Sequence, residues 1–516
     1  MTTRPTRRRV LQGGAAGAVA LTLPSFLGGC ATTRAALTAV DPEPPANPFL
    51  AHFGVDEALI QRILGVAMSR GGDHADLFFE HKLTRGFGLE DGMVNGAWSN
   101  VDLGVGVRVL VGDQTGYAYT EELTEEAMRG AAATASAIAS AGAVLPPQSF
   151  ALQPAADHYP VEVTFGDAGA ADKVALLERL DGLVRQRDPR VVKASLSYDD
   201  KESWVLIADS SGRLAIDYRP MAYLAASVTA EANGERRSNY ANMSGRKGFE
   251  FFDDDRINRL SQQAVERTVG LFEAVRPPAG ELPLVLAPGS SGILLHEAIG
   301  HGLEADFNRK EISIFSSMIG EKVAEPFVSI VDDATVVGAR GSLNVDDEGN
   351  ATENTMLVEN GILRGYLHDR ISAAHYGIAP TGNGRRQSFR HVPQPRMRST
   401  YMLDGPHTAD EIIASVDRGV YAETFTNGQV QIGAGDFTFY IKTGYLIEGG
   451  KLAAPIKDAN IIGNGPDVLA KMTMVGDDLA LSEAGWTCGK GGQGVPVSQG
   501  LPTTKVSSIV VGGEVG

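Results

Sequence analysis

Two histidines and one glutamate lie close together in residues 293–306, and their types and spacing indicate metal chemistry. His296 directly precedes Glu297, and His301 follows five positions after the first histidine. Zinc peptidases carry two imidazoles on one helix to hold the metal and a carboxylate beside them to act as a base. On this motif alone, the alternative is a pair of polar residues on a surface helix. Apolar neighbours favour a partly buried setting, where unpaired polar groups are costly; these neighbours are Ile293, Leu294, Leu295 and Ile299.

The five-residue gap between the histidines does not suit a regular α-helix. At about 100° per residue, five steps place His301 roughly 140° around the helix from His296, so one metal ion could not reach both. One extra residue in the turn, a π-bulge, would bring the two imidazoles to the same side. Gly300 stands where such a distortion costs least. The spacing therefore predicts a non-ideal helix between the histidines, and a regular helix there would count against metal binding.

A catalytic zinc site needs three protein ligands and one open position, so a third ligand must be found. Glu304 and Asp306 are close in sequence, while Cys488 is a distant candidate. Zinc would hold the cysteine as a thiolate and protect it from oxidation. The two carboxylates also suit a role in orienting the imidazoles. The glycine-rich residues 489–494 lack the order of a phosphate-binding loop.

Residues 381–398 carry five arginines in an otherwise acidic chain. Guanidinium groups bind carboxylates and carbonyl oxygens, so Arg385, Arg386 and Arg396 are candidates for contacts with a peptide substrate. The alternative, that these arginines pair with the many acidic residues of the protein, stays open. The pair Ser290-Ser291 lacks the Gly-x-Ser-x-Gly pattern and does not indicate a serine nucleophile.

Composition excludes several classes of function. The 516 residues include 46 Lys and Arg against 63 Asp and Glu, a formal net charge of −17. Phosphate backbones need clustered cations, so nucleic acid is not the expected partner. Two cysteines rule out a disulfide framework.

The N-terminus has the pattern of an export signal. Three arginines at positions 7–9 precede an apolar, Ala- and Gly-rich stretch at residues 13–27, as in twin-arginine signals. The sequence Leu27-Gly28-Gly29-Cys30 resembles a lipobox, which predicts lipid attachment at Cys30 and removal of residues 1–29. An uncleaved membrane anchor is the alternative. In either case we expect a protein of the periplasm or cell envelope that contacts the membrane only through this N-terminal segment or its lipid.

The remaining sequence predicts an α+β protein. Residues 30–54 are rich in Ala, Thr and Pro and indicate a linker. Residues 55–145 alternate helical and strand-like patterns, which predicts an α/β domain, and residues 146–279 form a middle domain. Residues 280–516 are strand-like and punctuated by glycine, apart from the histidine helix and one helix near residue 410. We therefore expect an α/β N-terminal part and a β-rich C-terminal domain with one metal-binding helix.

Several sequence blocks, in this order, resemble the TldD/PmbA metallopeptidase family, and within it the TldD-type subunit. The resemblance covers roughly residues 55–516 and is weaker before residue 280. Matching blocks in a fixed order carry more weight than the histidine motif alone. The blocks lie at residues 296–310, 346–349, 358–363, 379–386, 395–397, 488–490 and 496–497.

The resemblance implies a peptidase with one zinc ion per chain. The metal ligands of the family fall on His296, His301 and Cys488, and its catalytic glutamate falls on Glu297. It implies unfolded or small peptides as substrates, bound by strand addition on the β-rich part. It also implies a dimer, with a PmbA-type partner subunit or a second copy of the chain.

Two departures from the family pattern bear on these expectations. Similar proteins are usually cytoplasmic, whereas this sequence has an export signal, which affects both substrate and partner. Ser399 follows Arg398 where the family more often has Asn before Thr, which affects substrate contacts. The alternative function is a non-catalytic envelope lipoprotein that binds peptides or scaffolds a partner subunit.

Overall fold

The computed structural model describes residues 47–140, 144–154 and 156–513. The export signal and Cys30 lie outside these residues. Within the described ranges, no helix has both the length and the apolar character needed to cross a bilayer.

Helices begin where the sequence provides caps. Asp56 accepts a hydrogen bond from the backbone of Leu59 and starts the second helix, and Thr408 forms a capping box with Glu411. The α-helices are α1 Pro48–Phe53, α2 Glu57–Ala67, α3 Glu125–Ile138, α4 Ala170–Arg187, α5 Asp254–Val269, α6 Ile293–Leu295, α7 Ala305–Asn308, α8 Arg370–Tyr376, α9 Ala409–Ala414 and α10 Gly465–Ala470.

One seven-stranded sheet organises the first half of the chain. Its order is β3-β2-β1-β5-β6-β4, with β7 paired to β6, and every pairing except the parallel β4–β6 contact is antiparallel. The strands are β1 His74–Glu90, β2 Met93–Val111, β3 Gln114–Thr120, β4 Ala151–Leu152, β5 Val191–Asp209, β6 Arg213–Ala232 and β7 Glu235–Gly245.

Two helix pairs cover different ends of these long strands. Helices α2 and α3 pack with one end of the sheet in a core that includes Ile60, Met128 and Phe79. Helices α4 and α5 pack with the other end in a core that includes Leu177 and Leu260. Because β1 pairs with both β2 and β5, the segments 55–145 and 146–279 share a single sheet.

The C-terminal half is dominated by strands. They are β8 Gly280–Leu286, β9 Ile330–Asp333, β10 Asn354–Glu359, β11 Ile362–Leu363, β12 Gly384–Arg385, β13 Gln394–Pro395, β14 Ser399–Met402, β15 Arg418–Gln431, β16 Asp436–Glu448, β17 Lys451–Pro455, β18 Ala459–Asn464, β19 Met472–Val475, β20 Ala480–Leu481, β21 Thr487–Lys490, β22 Gln493–Pro496, β23 Ser498–Leu501 and β24 Thr504–Gly512.

These strands form two larger sheets and two hairpins. Strands β15, β8, β24, β18 and β16 pair in that order, and a further β15–β16 pairing closes them into a ring. A second sheet has the order β11-β10-β9-β14-β23-β20, while β12–β13 and β21–β22 form hairpins. The apolar residues of the histidine segment belong to the main hydrophobic core of the C-terminal half. The mixed architecture, with a strand-rich C-terminal half, confirms the predicted α+β class.

A buried set of ion pairs joins the seven-stranded sheet to the C-terminal half, and we call it the charged interface. Arg108 on β2 contacts Asp76 at 2.6 Å and Glu348 at 2.7 Å, and all three side chains have no exposed surface. Arg386 contacts the same Asp76 at 3.2 Å. The residues of the charged interface are Asp76, Arg108, Asp217, Arg219, Asp347, Glu348 and Arg386.

Candidate metal centre

The histidine segment contains the non-ideal helix that its spacing predicts. After one turn of α-helix in α6, residues His296–Gly300 form a π-helix, in which the backbone N–H of His301 donates to the carbonyl oxygen of His296. The π-helical turn places both imidazoles on one side, with ring centroids 5.1 Å apart. A Cβ atom at Gly300 would overlap the sulfur of Met397, so close packing also requires glycine there.

The hairpin β21–β22 brings Cys488 to these two imidazoles. One ligand atom from each of His296, His301 and Cys488 lies within 4.8 Å of the others, and all three residues are buried. The Cys488 Sγ is 3.4 Å from His301 Nε2. The predicted meeting of a C-terminal sulfur with two distant histidines is therefore present.

Glu304 fixes the orientation and the tautomer of the His301 imidazole. Its Oε2 lies 2.9 Å from His301 Nδ1. An imidazole that donates from Nδ1 keeps its lone pair on Nε2, which is the nitrogen beside Cys488. Lys490 lies 3.1 Å from Glu304 and 2.7 Å from Asp306. Although burial alone would raise the pKa of Glu304, Lys490 and His301 lower it to about 2.

The donor set fits a zinc ion. Both ring nitrogens of His296 are buried without a hydrogen-bond partner among the described residues, an arrangement that is costly unless the ring binds something. Zinc binds sulfur at ~2.3 Å and nitrogen at ~2.0–2.1 Å, so tetrahedral ligand atoms lie ~3.3–3.6 Å apart. The 3.4 Å separation of Cys488 Sγ and His301 Nε2 agrees with that geometry.

The ionisation of Cys488 and Glu297 follows from their neighbours. Burial would raise the pKa of the Cys488 thiol, but the imidazoles of His296 and His301 outweigh it and hold this pKa well below its usual value. Glu297 has a pKa above its usual value, because burial outweighs the attraction of the two imidazoles. Its Oε2 is 3.8 Å from His301 Nε2, and its side chain is 20% exposed.

A cavity of about 680 Å³ opens onto the triad and Glu297. Residues 428–430 of β15 form one wall and residues 486–491 form another. Strand β15 pairs with β8 only through Val420–Ala422, so within the described residues the β15 edge at 428–431 has no strand partner on that side. The cavity is thus bounded by an open strand edge.

The three arginines considered as substrate contacts lie outside this cavity. Arg385 donates to the carbonyl oxygens of Met397 and Pro496, and Arg386 contacts Asp76 and the carbonyl oxygen of Asp347. Arg396 donates to the carbonyl oxygen of Cys488 at 2.6 Å. All three are at least 96% buried. Their role as substrate contacts remains a prediction, whereas Arg396 supports the strand that carries the thiol.

Sequence reasoning did not assign roles to Lys490 and Met397. Lys490 lies two positions after Cys488 and pairs with the two carboxylates near the histidines, so alternation along β21 was the available signal. Glu304 orients His301 as expected, but Asp306 pairs with Lys490 and is not hydrogen-bonded to either imidazole among the described contacts. No sequence signal indicated that Met397 packs against Gly300.

An α+β fold with two histidines, one cysteine and a neighbouring glutamate around a cavity has the features of a metal-dependent hydrolase. Three family models match the chain: PmbA/TldA metallopeptidase domain 1 at residues 75–139, its central domain at 164–272 and its C-terminal domain at 279–513. The chain belongs to the PmbA/TldA metallopeptidase family. This confirms the family that the sequence blocks indicate.

Two relatives and one solved structure illustrate the similarity. A metalloprotease TldD homolog from Haemophilus influenzae is 39% identical over 475 residues, which cover 91% of this chain and 98% of that protein. A zinc metalloprotease TldD homolog from Saccharolobus solfataricus is 35% identical over 268 residues, covering 52% and 59%. TldE from Thermococcus kodakarensis shares the fold, with a TM-score of 0.69, 18% identity and coverage of 88% and 100%.

Proposed function

We propose that this chain is a TldD-type peptidase that uses one zinc ion held by His296, His301 and Cys488. The observation that carries the proposal is the convergence of these three ligand atoms within 4.8 Å, while both nitrogens of His296 lack a hydrogen-bond partner in the part of the chain that the structure describes. The relatives named metalloprotease support the peptidase activity, and the Saccharolobus solfataricus relative named a zinc metalloprotease supports the choice of metal.

The metal supplies Lewis acidity for the scissile carbonyl and for the attacking water. In this proposal, Glu297 accepts the proton of that water and passes it to the leaving amine. Its carboxylate has no Lys or Arg within 4 Å among the described residues, and its ion-pair contact there is with His301 Nε2 at 3.8 Å. Burial raises the pKa of Glu297, which makes the carboxylate a better proton acceptor.

Glu304 and Lys490 act as positioning residues in this mechanism. Glu304 accepts from His301 Nδ1 and so fixes which nitrogen faces the thiol. Lys490 pairs with Glu304 and compensates its buried charge. Arg396 fixes the backbone of Cys488 through its carbonyl oxygen.

We further propose that the substrate is an unfolded or small peptide, bound as an extended strand. The open edge of β15 at residues 428–431 lies on the wall of the cavity that contains Glu297. Main-chain hydrogen bonds to such an edge do not depend on the side chains of the peptide. Only peptides that lack fixed structure can add a strand in this way.

The partner and location are further proposals. The fold shared with TldE of Thermococcus kodakarensis supports a partner subunit of PmbA type, with a second copy of this chain as the alternative. The arginine-led apolar segment and Cys30 support export and lipid attachment. Fractionation of cells producing wild type and Cys30→Ala tests the location: the lipid-anchored form should sediment with membranes, and unchanged fractionation of the variant would contradict the anchor.

Elemental analysis together with a peptide-library digest tests the function. Purified protein should contain close to one zinc ion per chain and cleave unstructured peptides, while Cys488→Ala should lose both properties. The exposed Ser99→Ala is a matched control, because it removes one atom beyond Cβ far from the cavity lining. A wild-type protein without metal or cleavage would instead support the non-catalytic peptide-binding lipoprotein.

A further inference from the structure

A second cavity, of about 380 Å³, lies between the seven-stranded sheet and the C-terminal half, and we call it the basic cavity. Two carboxylates, Glu80 and Asp347, contribute to its lining. Six cationic side chains contribute as well, although the chain as a whole has a net charge of −17. The cationic residues are Lys82, Lys201, Arg219, Arg246, Arg385 and Arg386.

Half of these cations have acidic partners. Lys82 lies 3.0 Å from Asp102 and 3.4 Å from Glu80. Arg219 and Arg386 pair with acids of the charged interface. These contacts use both carboxylates of the cavity, Glu80 and Asp347, so neither is left as a dedicated partner for the other three cations.

Lys201, Arg246 and Arg385 have no carboxylate within 4 Å among the described residues. Arg385 donates only to the carbonyl oxygens of Met397 and Pro496. The Nε of Arg246 is buried without a hydrogen-bond partner, and its guanidinium lies 5.3 Å from the centre of the Tyr159 ring. Three positive groups thus line one cavity without a direct ion pair among the described residues, and the carboxylates that act on them, such as Glu80 and Asp347, do so from more than 4 Å away.

Arg246 is close enough to Lys201 and to Arg385 for its positive charge to disfavour theirs. Burial lowers the pKa of Lys201 to about 7; Lys82 and Arg246 act in the same direction, and Glu80 opposes them. Burial lowers the pKa of Arg385 to about 9, because it outweighs the attraction of Asp347 and the charge of Arg246 adds to it. Desolvated cations without partners are costly, and a bound anion removes that cost.

We propose that the basic cavity binds a phosphate-class oxyanion, either free or as the terminal group of a small molecule, held by Lys201, Arg246 and Arg385. Guanidinium groups present several donors in a fixed geometry that matches an oxyanion with several oxygens, and the ammonium adds a compact charge. The volume of about 380 Å³ exceeds by far the ~10–15 Å³ that a single water needs.

Binding is tested with the full protein and inorganic phosphate, with chloride at equal ionic strength as the reference. Isothermal titration should show saturable binding at a stoichiometry of one, and phosphate should raise the melting temperature more than chloride does. Lys201→Met should weaken the affinity at least tenfold. Lys193→Met is the matched control, since Lys193 lies on the same strand but pairs with Glu90 at the surface.

Further variants and probes distinguish binding in the basic cavity from binding to the proposed metal ion. Cys488→Ala should keep phosphate binding; if that variant loses it, the anion sits on the metal and the inference is overturned. Arg385→Lys keeps the positive charge but loses the fixed set of guanidinium donors. It should therefore weaken phosphate binding less than Lys201→Met does. Glycerol 2-phosphate that binds as well as phosphate identifies a phosphomonoester, whereas binding of phosphate alone identifies the free ion. Failure of wild type to bind either probe overturns the inference.

Discussion

The charged interface and the metal centre treat buried polar groups in opposite ways. In the interface, Arg108 lies between Asp76 and Glu348, and each charge has an opposite charge within 3 Å. In the candidate metal centre, His296 is similarly buried, but neither of its ring nitrogens has a hydrogen-bond partner among the described residues. Opposite charges compensate each other inside the charged interface, whereas the His296 ring lies unpartnered beside two further potential metal ligands and is explained by a ligand that all three residues share.

The contrast explains why arginine-rich residues 381–398 are a poor guide to the substrate site. Arg386 pairs with Asp76 in the charged interface, and Arg396 donates to the carbonyl oxygen of Cys488 on β21. Changes at the candidate metal centre should therefore alter activity, metal affinity or both without unfolding the protein. Changes at the charged interface should instead lower the free energy of unfolding and leave the activity and metal content of the folded protein unchanged.

Glu297→Gln should have the largest effect. Loss of the carboxylate that accepts a proton should reduce turnover of an unstructured peptide by about 10²–10⁴-fold. Metal content should stay unchanged, because Glu297 is not a ligand in the proposed site. Turnover and elemental analysis are measured together with exposed Glu321→Gln as the control. Full activity in Glu297→Gln would break the proposed mechanism.

Asp76→Asn should strongly destabilise the fold. The substitution removes the carboxylate charge that pairs with the buried Arg108 and Arg386. Breaking a buried ion pair costs about 3–5 kcal/mol. Urea unfolding measures the change in the free energy of unfolding. Glu90→Gln, which breaks an exposed pair with Lys193, should cost no more than about 1 kcal/mol. Equal effects of the two variants would remove the distinction between buried and surface pairs.

Glu304→Gln should lower metal affinity by about 10–100-fold, because the amide holds the His301 ring less well than the carboxylate does. Competition with a chelator measures the affinity. Asp306→Asn is the control, since Asp306 pairs with the same Lys490 but is not hydrogen-bonded to an imidazole. If both variants lose the same affinity, the lysine rather than the imidazole contact is what matters.

His74→Gln should have the smallest effect at pH 7, because its contribution emerges only as a change in the pH dependence of stability at lower pH. Burial, reinforced by Arg370, lowers the pKa of His74 to about 3, below its value of 6.5 in an unfolded chain. The unfolded state therefore binds the proton first, and stability is lost as pH falls from about 6.5 towards 3. In the variant, the slope of the free energy of unfolding against pH should be smaller by up to ~1.4 kcal/mol per pH unit.

Urea unfolding between pH 7 and 4 measures this slope. Exposed His52→Gln should leave the slope of the wild type unchanged. A His74→Gln slope equal to that of the wild type would show that His74 has the same pKa in the folded and unfolded states, which would contradict the lowered pKa of the folded protein.

Local features of the fold were predictable from sequence because they depend on neighbouring residues. The N-cap at Asp56 and the helix from Ala170 follow from capping and apolar spacing. The π-helix at His296 follows from the five-residue histidine gap and Gly300. The place of Cys488 came from the family resemblance and not from spacing.

Other features depend on contacts between distant parts of the chain, which no local pattern reveals. The roles of Arg386 and Arg108 depend on Asp76, which is 310 residues away from Arg386. The sharing of one sheet by residues 55–145 and 146–279 depends on the pairing of β1 with β5. Strand pairing of this kind is set by tertiary packing, not by the sequence of either strand alone.

The pairing of β1 with β5 has a consequence for cleavage of the chain. These strands run side by side from Asp76 opposite Asp209 to Glu90 opposite Ser195. A single proteolytic cut after the exposed Leu145 would leave two fragments still joined by this long ladder. The nicked protein should elute from a sizing column as one particle and separate only in denaturant, so the two fragments should also reassemble when mixed.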